Sequence, residues 1–157
     1  GRPVAMKGYY KYTPKPITTY DNSHSYLKNE PDKCSIQVAL ADGTTCSSNS
    51  SDYYYFVDSG ANKFVDFSTS NKTLIAYNKI ETGETISSYR AFTLPLGYRD
   101  INKTPTYAIV ACCASYLGDY FTGGEGSVML VDEFEFIYDP SDESLTDQQR
   151  RDFFNLF

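Results

Sequence analysis

The residues that could carry chemistry in this chain are its acids, a single histidine and its many tyrosines. There are 20 Asp and Glu, one His, 15 Tyr and no Trp. Glycoside hydrolysis needs two carboxylates that flank the scissile bond, and a nucleophilic triad needs a histidine between a serine and an acid. The only histidine, His24, lies in TTYDNSHSYL, where the Ser and Asp beside it are typical of a loop. No catalytic residue is predicted from these spacings.

Tyrosines beside hydrogen-bonding groups are the second candidate chemistry, because a binding site combines rigid aromatic rings with a few polar groups. In GYYKY, two tyrosines share one strand face, and the segments LGYRD and GDYFTGG place Tyr, Arg and Asp on loops. Loops are where sandwich proteins usually bind ligands. The alternative is that these tyrosines close the edges of a sandwich. The candidate ligand-binding residues are Tyr10, Tyr12, Tyr98, Arg99, Asp119 and Tyr120.

One carboxylate interrupts an apolar strand face in GSVMLVDEFEFIYD. Read with a period of two, Asp132 shares a face with Leu130 and Phe134. This face is otherwise apolar, so we expect Asp132 to be buried with its neighbours. A buried charge needs a partner. Hydrogen bonds are the expected partner, and a Ca²⁺ ion or a bulge that turns the residue outward are the alternatives.

The four cysteines allow one disulfide and no zinc site. Cys34 and Cys46 flank a strand and an Ala-Asp-Gly turn, and a chain that pairs back after the turn would bring their sulfurs together. We therefore predict a Cys34–Cys46 disulfide. Cys112 and Cys113 are adjacent in a strand and point to opposite faces. No Cys/His spacing is typical of zinc.

Length and charge restrict the class of protein. The 157 residues suit one domain, and the 41% hydrophobic fraction is sufficient for a packed core. The net charge of −6 and the pI near 4.7 argue against nucleic acid or an anionic membrane as partner. No run is long enough to span a membrane as a helix. No cofactor is predicted apart from the alternative of calcium at Asp132.

The chain alternates short β-prone segments with turn residues, a pattern typical of an all-β protein. Strands are predicted in VAMKGYYKYT, CSIQVALA, TLIAYNKI, YRAFTLPL, TYAIVACCAS and GSVMLVDEFEFIYD, with shorter pieces in DYYYFV and KFVDF. TYAIVACCAS is almost continuously apolar, which predicts a central strand covered on both faces. Pro95 restricts its strand to an edge or a bulge. In SLTDQQRRDFFNLF, a capping-box pattern and spaced phenylalanines predict a short amphipathic helix.

Five segments carry a family resemblance: GRPVAMKGYYKYTP, SIQVAL, AYNKIETGETISSYRAFTLPLGYRD, TPTYAIVACCAS and LGDYFTGGEGSVMLVDEFEFIYD. Through them the chain resembles the putative carbohydrate metabolism domain of secreted and lipid-anchored Bacteroidetes proteins. The resemblance implies a jelly-roll β-sandwich over residues 1–139, similar to carbohydrate-binding modules. The family usually has further β-sequence before GRP, so we expect this sandwich to lack N-terminal strands. Residues 140–157, an acidic linker and the helix, lie outside the family pattern.

The expected function is a non-catalytic, glycan-binding module of a secreted, periplasmic or outer-membrane surface protein. Two alternatives stay open: a glycoside hydrolase or an accessory domain of one, and a structural domain of a surface complex. The expected partner is a glycan or polysaccharide. A neighbouring domain or second chain is the expected means of completing the sandwich.

Overall fold

Two antiparallel sheets carry the fold in this computed structural model, which describes residues 1–41, 74–99, 102–138 and 146–148. One sheet has three strands in the order β4-β1-β7, and the other has four in the order β5-β3-β2-β6. The predicted all-β sandwich is confirmed. The strands are β1 (Ala5–Thr13), β2 (Cys34–Ala41), β3 (Leu74–Thr82), β4 (Ile86–Pro95), β5 (Gly97–Tyr98), β6 (Tyr107–Cys113) and β7 (Val128–Ile137). The described residues also form two short 3-10 helices, η1 (Asn22–Leu27) and η2 (Gly118–Tyr120).

The core lies between the sheets and follows the alternation of the strands. In β2 the predicted apolar face is buried, from Cys34 to Leu40, and it packs with Met6 and Tyr12 of β1. Alternating strands bury one face because successive side chains point to opposite sides of a sheet. The Phe92 ring of β4 packs edge-on against the buried Tyr10 ring, with 5.8 Å between the ring centroids, and against the exposed Phe134 ring, with 5.7 Å between the centroids.

A bulge in β7 overturns the prediction for Asp132. Lys7 pairs with Glu135 and Tyr9 with Asp132, so two steps along β1 correspond to three along β7. Glu133 takes a left-handed backbone conformation, with φ of +52°, as the first residue of one class of bulge does. Asp132 is exposed and accepts a 2.8 Å hydrogen bond from the Glu133 N–H. The burial prediction is wrong, and the outward bulge is what the chain adopts.

The same bulge exchanges the faces of β7. Before it, Met129 lies opposite Tyr12 and packs against the core, while Leu130 is outward and 43% exposed. After it, Phe136 packs against the core opposite Met6. The inserted residue breaks the period-two pattern, so the single apolar face predicted for the whole strand is wrong for its first half.

The prediction that β6 is a central strand is also wrong for the described residues. There β6 is an outer strand of its sheet, paired with β2 alone. Val110 is 39% exposed, although its partner Val38 is fully buried. In the three-stranded sheet β7 is likewise an outer strand among the residues that the structure describes, and Val131 is 39% exposed. A continuous apolar run does not by itself establish that both faces are covered.

Several predictions fall on residues that the structure does not describe. DYYYFV, KFVDF and Cys46 lie outside the described residues, as does the tail beyond residue 138 except for residues 146–148. Cys34 is a free, buried thiol, which does not support the predicted Cys34–Cys46 disulfide. In the part of the chain that is described, no helix is long and apolar enough to cross a membrane.

Candidate functional site

A cleft of about 210 Å³ lies on the outer face of the four-stranded sheet, near the start of β2 and the end of β3. The strands β2, β3 and β6 supply its floor, and the turn after β6 supplies its wall. Most of its lining is polar. The lining residues are Gln37, Lys79, Glu81, Cys113, Ser115, Tyr116, Gly118, Asp119 and Tyr120.

The floor presents an amide and an ion pair to the cleft. Gln37 of β2 lies directly opposite Lys79 of β3 in the strand register. The Lys79 Nζ lies 2.8 Å from the Glu81 Oε1, and both side chains are partly exposed. Alternation along β3 places Lys79 and Glu81 on the same face. The floor therefore offers hydrogen-bond donors and acceptors in fixed positions.

Ser35 lies on the same sheet face, between Glu81 and Cys113 in the register. Its side chain is buried and its hydroxyl oxygen has no hydrogen-bond partner. The neighbouring Cys113 thiol, whose pKa is raised by burial, is a weak hydrogen-bonding group and does not satisfy this hydroxyl. A buried hydroxyl without a strong partner is costly and calls for an explanation. It marks this end of the sheet as a functional candidate.

The wall is held by backbone and aromatic contacts. The Tyr116 N–H donates to the Lys33 carbonyl at 2.9 Å, and the Lys33 Nζ lies over the Tyr116 ring, 5.3 Å from its centroid. Asp119 is half-buried and Tyr120 is 50% exposed. The 3-10 turn η2 thus presents a carboxylate and an accessible ring at the cleft.

His24 lies behind Tyr120, and its ring centroid is 5.0 Å from that of Tyr120. Asp21 caps η1 by accepting the His24 N–H at 2.9 Å, and its Oδ1 lies 2.6 Å from the His24 Nδ1. The hydrogen bond from His24 lowers the pKa of the Asp21 carboxyl. Ser23 Oγ also approaches Nδ1, at 3.2 Å. Acid and serine meet the same ring nitrogen, whereas a triad needs them on opposite nitrogens.

A buried carboxylate fixes the turns on either side of η2. Asp32 is fully buried, and its Oδ1 accepts the Lys33 N–H at 2.7 Å. Its Oδ2 accepts Ser115 Oγ at 2.5 Å, the Gly124 N–H at 2.8 Å and Ser127 Oγ at 3.3 Å. Ser115 precedes η2 and Gly124 follows it. The buried carboxylate of this fold is therefore that of Asp32, whereas Asp132 is exposed.

The six predicted binding residues do not form one site. Tyr10 and Tyr12 are buried in the core, where burial raises their pKa. Tyr98 packs on the core side of the sheet and donates from Oη to the Pro3 carbonyl at 2.8 Å. The positions of these three rings agree with the alternative hypothesis, in which the tyrosines close the sandwich. Asp119 and Tyr120 line the cleft.

Arg99 follows Tyr98 and lies beside the first residues of β3. Its N–H donates to the Ile75 carbonyl at 2.7 Å. The cleft lies near the other end of β3, at Lys79 and Glu81. Tyr98 and Arg99 are therefore near the start of β3, whereas Asp119 and Tyr120 line the cleft near its end, and the structure does not bring the two pairs together in the cleft.

Sequence reasoning missed Gln37, Lys79 and Glu81 because alternating polar residues in a strand also describe an ordinary solvated face. The contact between His24 and Tyr120 had no local signal, since it joins distant segments. Within the described ranges, no group of three or more His, Cys, Asp or Glu side chains could hold a metal ion. The alternative of a calcium ion at Asp132 stays a prediction.

Family comparison identifies the chain. The model of the putative carbohydrate metabolism domain (PCMD) matches residues 1–137. The chain belongs to the PCMD family. It is thus a carbohydrate-metabolism-related domain, as the five resembling segments predicted. A comparison with curated proteins gives no match.

Among the solved structures that share the fold, two are described as putative glycoside hydrolases. One is from Bacteroides thetaiotaomicron VPI-5482, with a TM-score of 0.57, 22% identity and 87% of the PCMD chain covered. The other is from Bacteroides vulgatus ATCC 8482, with a TM-score of 0.59, 22% identity and 88% covered. The PCMD chain spans only 38% and 53% of those two chains. At this identity the likeness shows the fold alone.

Proposed function

We propose that this PCMD domain binds glycan at the cleft, without cleaving it, as part of an extracellular or periplasmic protein. The observation that carries the proposal is the exposed Tyr120 ring beside the polar floor of Gln37, Lys79 and Glu81. A sugar has apolar C–H faces and a rim of hydroxyls, so it needs a ring to stack on and polar groups to bond. The cleft supplies both within one small volume.

The size and rigidity of the cleft agree with a saccharide ligand. Its volume of about 210 Å³ is below the roughly 300–1,000 Å³ of pockets for drug-sized molecules. It suits one sugar residue with further residues outside. The floor belongs to paired strands, and the wall is tied through Asp32 to Ser115 and Gly124. A preformed site loses little conformational entropy on binding, which favours affinity.

The direct test is a glycan array with wild-type protein and the Tyr120→Ala variant. We expect Tyr120→Ala to weaken binding about tenfold, because it removes the stacking ring. Its melting temperature should stay nearly unchanged, since the ring is 50% exposed. Tyr89→Ala is the matched control, because Tyr89 is 47% exposed on the three-stranded sheet. Equal losses in the two variants would contradict a site at the cleft.

Glycoside hydrolysis is the second candidate, and one observation favours it. Glu81 and Asp119 both line the cleft, and two carboxylates beside a bound sugar are the minimum for acid–base hydrolysis. Chromogenic glycosides test it. Turnover by wild-type protein that is lost in both Glu81→Gln and Asp119→Asn would replace the binding proposal by the hydrolytic one. If the protein neither binds glycans nor turns over glycosides, the third hypothesis, a structural domain of a surface complex, is favoured.

A further inference from the structure

Three aromatic rings are neighbours in space, and the first of them lies at the cleft. Tyr120 lines the cleft, the His24 ring lies 5.0 Å from it, and the Tyr26 ring lies 6.3 Å from His24. The planes of His24 and Tyr26 are inclined by 32°. Tyr26 is 73% exposed, so its ring is accessible to a ligand. We name these three residues the platform.

Hydrogen bonds hold the two turns of the platform together. The Asp21 N–H donates to Thr122 Oγ1 at 3.3 Å, and Thr122 Oγ1 donates to the Tyr120 carbonyl at 3.1 Å. Thr19 and Gly123 exchange backbone hydrogen bonds at 3.2 and 2.9 Å. The Asp21 carboxylate fixes the His24 ring through Nδ1. The backbone of both turns is therefore set before any ligand arrives, which lowers the entropic cost of binding.

Core packing does not explain the exposed rings at this place. Tyr26 and Phe121 are 73% and 74% exposed, and no residue of η1 or η2 is buried. Phe121 also adopts a left-handed conformation, with φ of +51°, which is unfavourable for a residue with a bulky side chain. Strained backbone and exposed apolar rings both concentrate at binding sites.

We propose that the platform continues the cleft, so that the domain binds a saccharide chain of two or more residues. One sugar occupies the cleft and the next lies over His24 and Tyr26. This inference rests on the proposed glycan binding, because it assigns the length of the ligand at the same site. It assigns Tyr26 a role in chain-length specificity: Tyr26 contacts the second residue and leaves the first unaffected.

The test is a titration with matched sugars of different length. The probes are glucose, galactose, mannose and xylose, each as a monosaccharide, a disaccharide and a tetrasaccharide. For the series that binds, we expect the tetrasaccharide to bind wild-type protein about tenfold more tightly than the monosaccharide, the gain expected from added stacking contacts. Tyr26→Ala should reduce this gain to less than about twofold at unchanged monosaccharide affinity. Tyr26→Phe should retain it, since the ring remains.

The outcomes separate the two proposals. Wild-type protein that binds no member of any series overturns glycan binding itself, and the platform with it. Equal affinity for all lengths overturns the platform alone. So does a Tyr26→Ala variant that retains the full gain, or that loses monosaccharide and tetrasaccharide affinity alike. Tyr89→Ala, with a ring of similar type on the other sheet, should leave both affinities unchanged.

Discussion

Removing the buried carboxylate of Asp32 should strongly destabilise the domain, whereas removing the exposed carboxylate of Asp132 should not. Asp32 accepts hydrogen bonds from two backbone N–H groups and two serine hydroxyls. In Asp32→Ala the hydroxyls can turn to other partners, but the N–H groups of Lys33 and Gly124 cannot. An unsatisfied buried donor costs about 1–3 kcal/mol. We therefore expect Asp32→Ala to lower the free energy of unfolding by about 2–4 kcal/mol.

Asp32→Asn is the sharper variant, because it preserves shape and removes only one acceptor. One carboxylate oxygen accepts the Lys33 N–H and the other accepts the Gly124 N–H. An amide has a single oxygen, so in either orientation its NH₂ group faces a backbone donor. The amide should turn its oxygen to the Gly124 N–H, which is the more buried of the two. We expect a loss of about 1–3 kcal/mol, smaller than in Asp32→Ala.

Urea unfolding followed by circular dichroism gives the free energies, with Asp132→Ala as the matched control. That change should cost no more than about 0.5 kcal/mol, because Asp132 is exposed and its hydrogen bond within the described residues is to the adjacent Glu133 N–H in the bulge. Equal effects of Asp32→Ala and Asp132→Ala would refute the reasoning. So would an Asp32→Asn variant as stable as wild type.

Two further predictions concern the loop after η2 and alkaline pH. Gly124→Ala should lower the free energy of unfolding by about 1–3 kcal/mol in urea, because its Cβ would lie 2.4 Å from the Lys15 carbonyl oxygen. Gly118→Ala is the control and should be nearly neutral, since a Cβ at Gly118 meets open space. Similar losses in the two variants would contradict this prediction. Stability should fall as pH rises from about 9 to about 11, because burial raises the pKa of the Cys34 thiol from 9.0 to about 11, so over this window the unfolded chain holds fewer protons than the folded one. An unfolding midpoint that is equal at pH 8.5 and 10.5 would contradict this prediction, and Cys34→Ala should show a smaller decline than wild type.

Local pattern determined the strands. β2 runs from Cys34 to Ala41 as predicted, and its alternation correctly identified the buried face. Pro95 lies at the end of β4, which is an outer strand in the described part of the chain, as the missing N–H of proline requires. These features depend on residues near in sequence, and the period-two rule is sufficient for them. The family resemblance was likewise contained in short segments.

Only the tertiary structure decided which carboxylate is buried and where a ligand could bind. The bulge at Glu133 exposes Asp132, and the register that produces it depends on pairing with β1. Asp32 is buried because Ser115, Gly124 and Ser127, all far along the chain, converge on it. The cleft likewise joins Gln37 and Lys79 to Tyr120 through the sheet order. A single sequence carries no periodic signal for contacts between distant segments, so these positions follow from the assembled sheets.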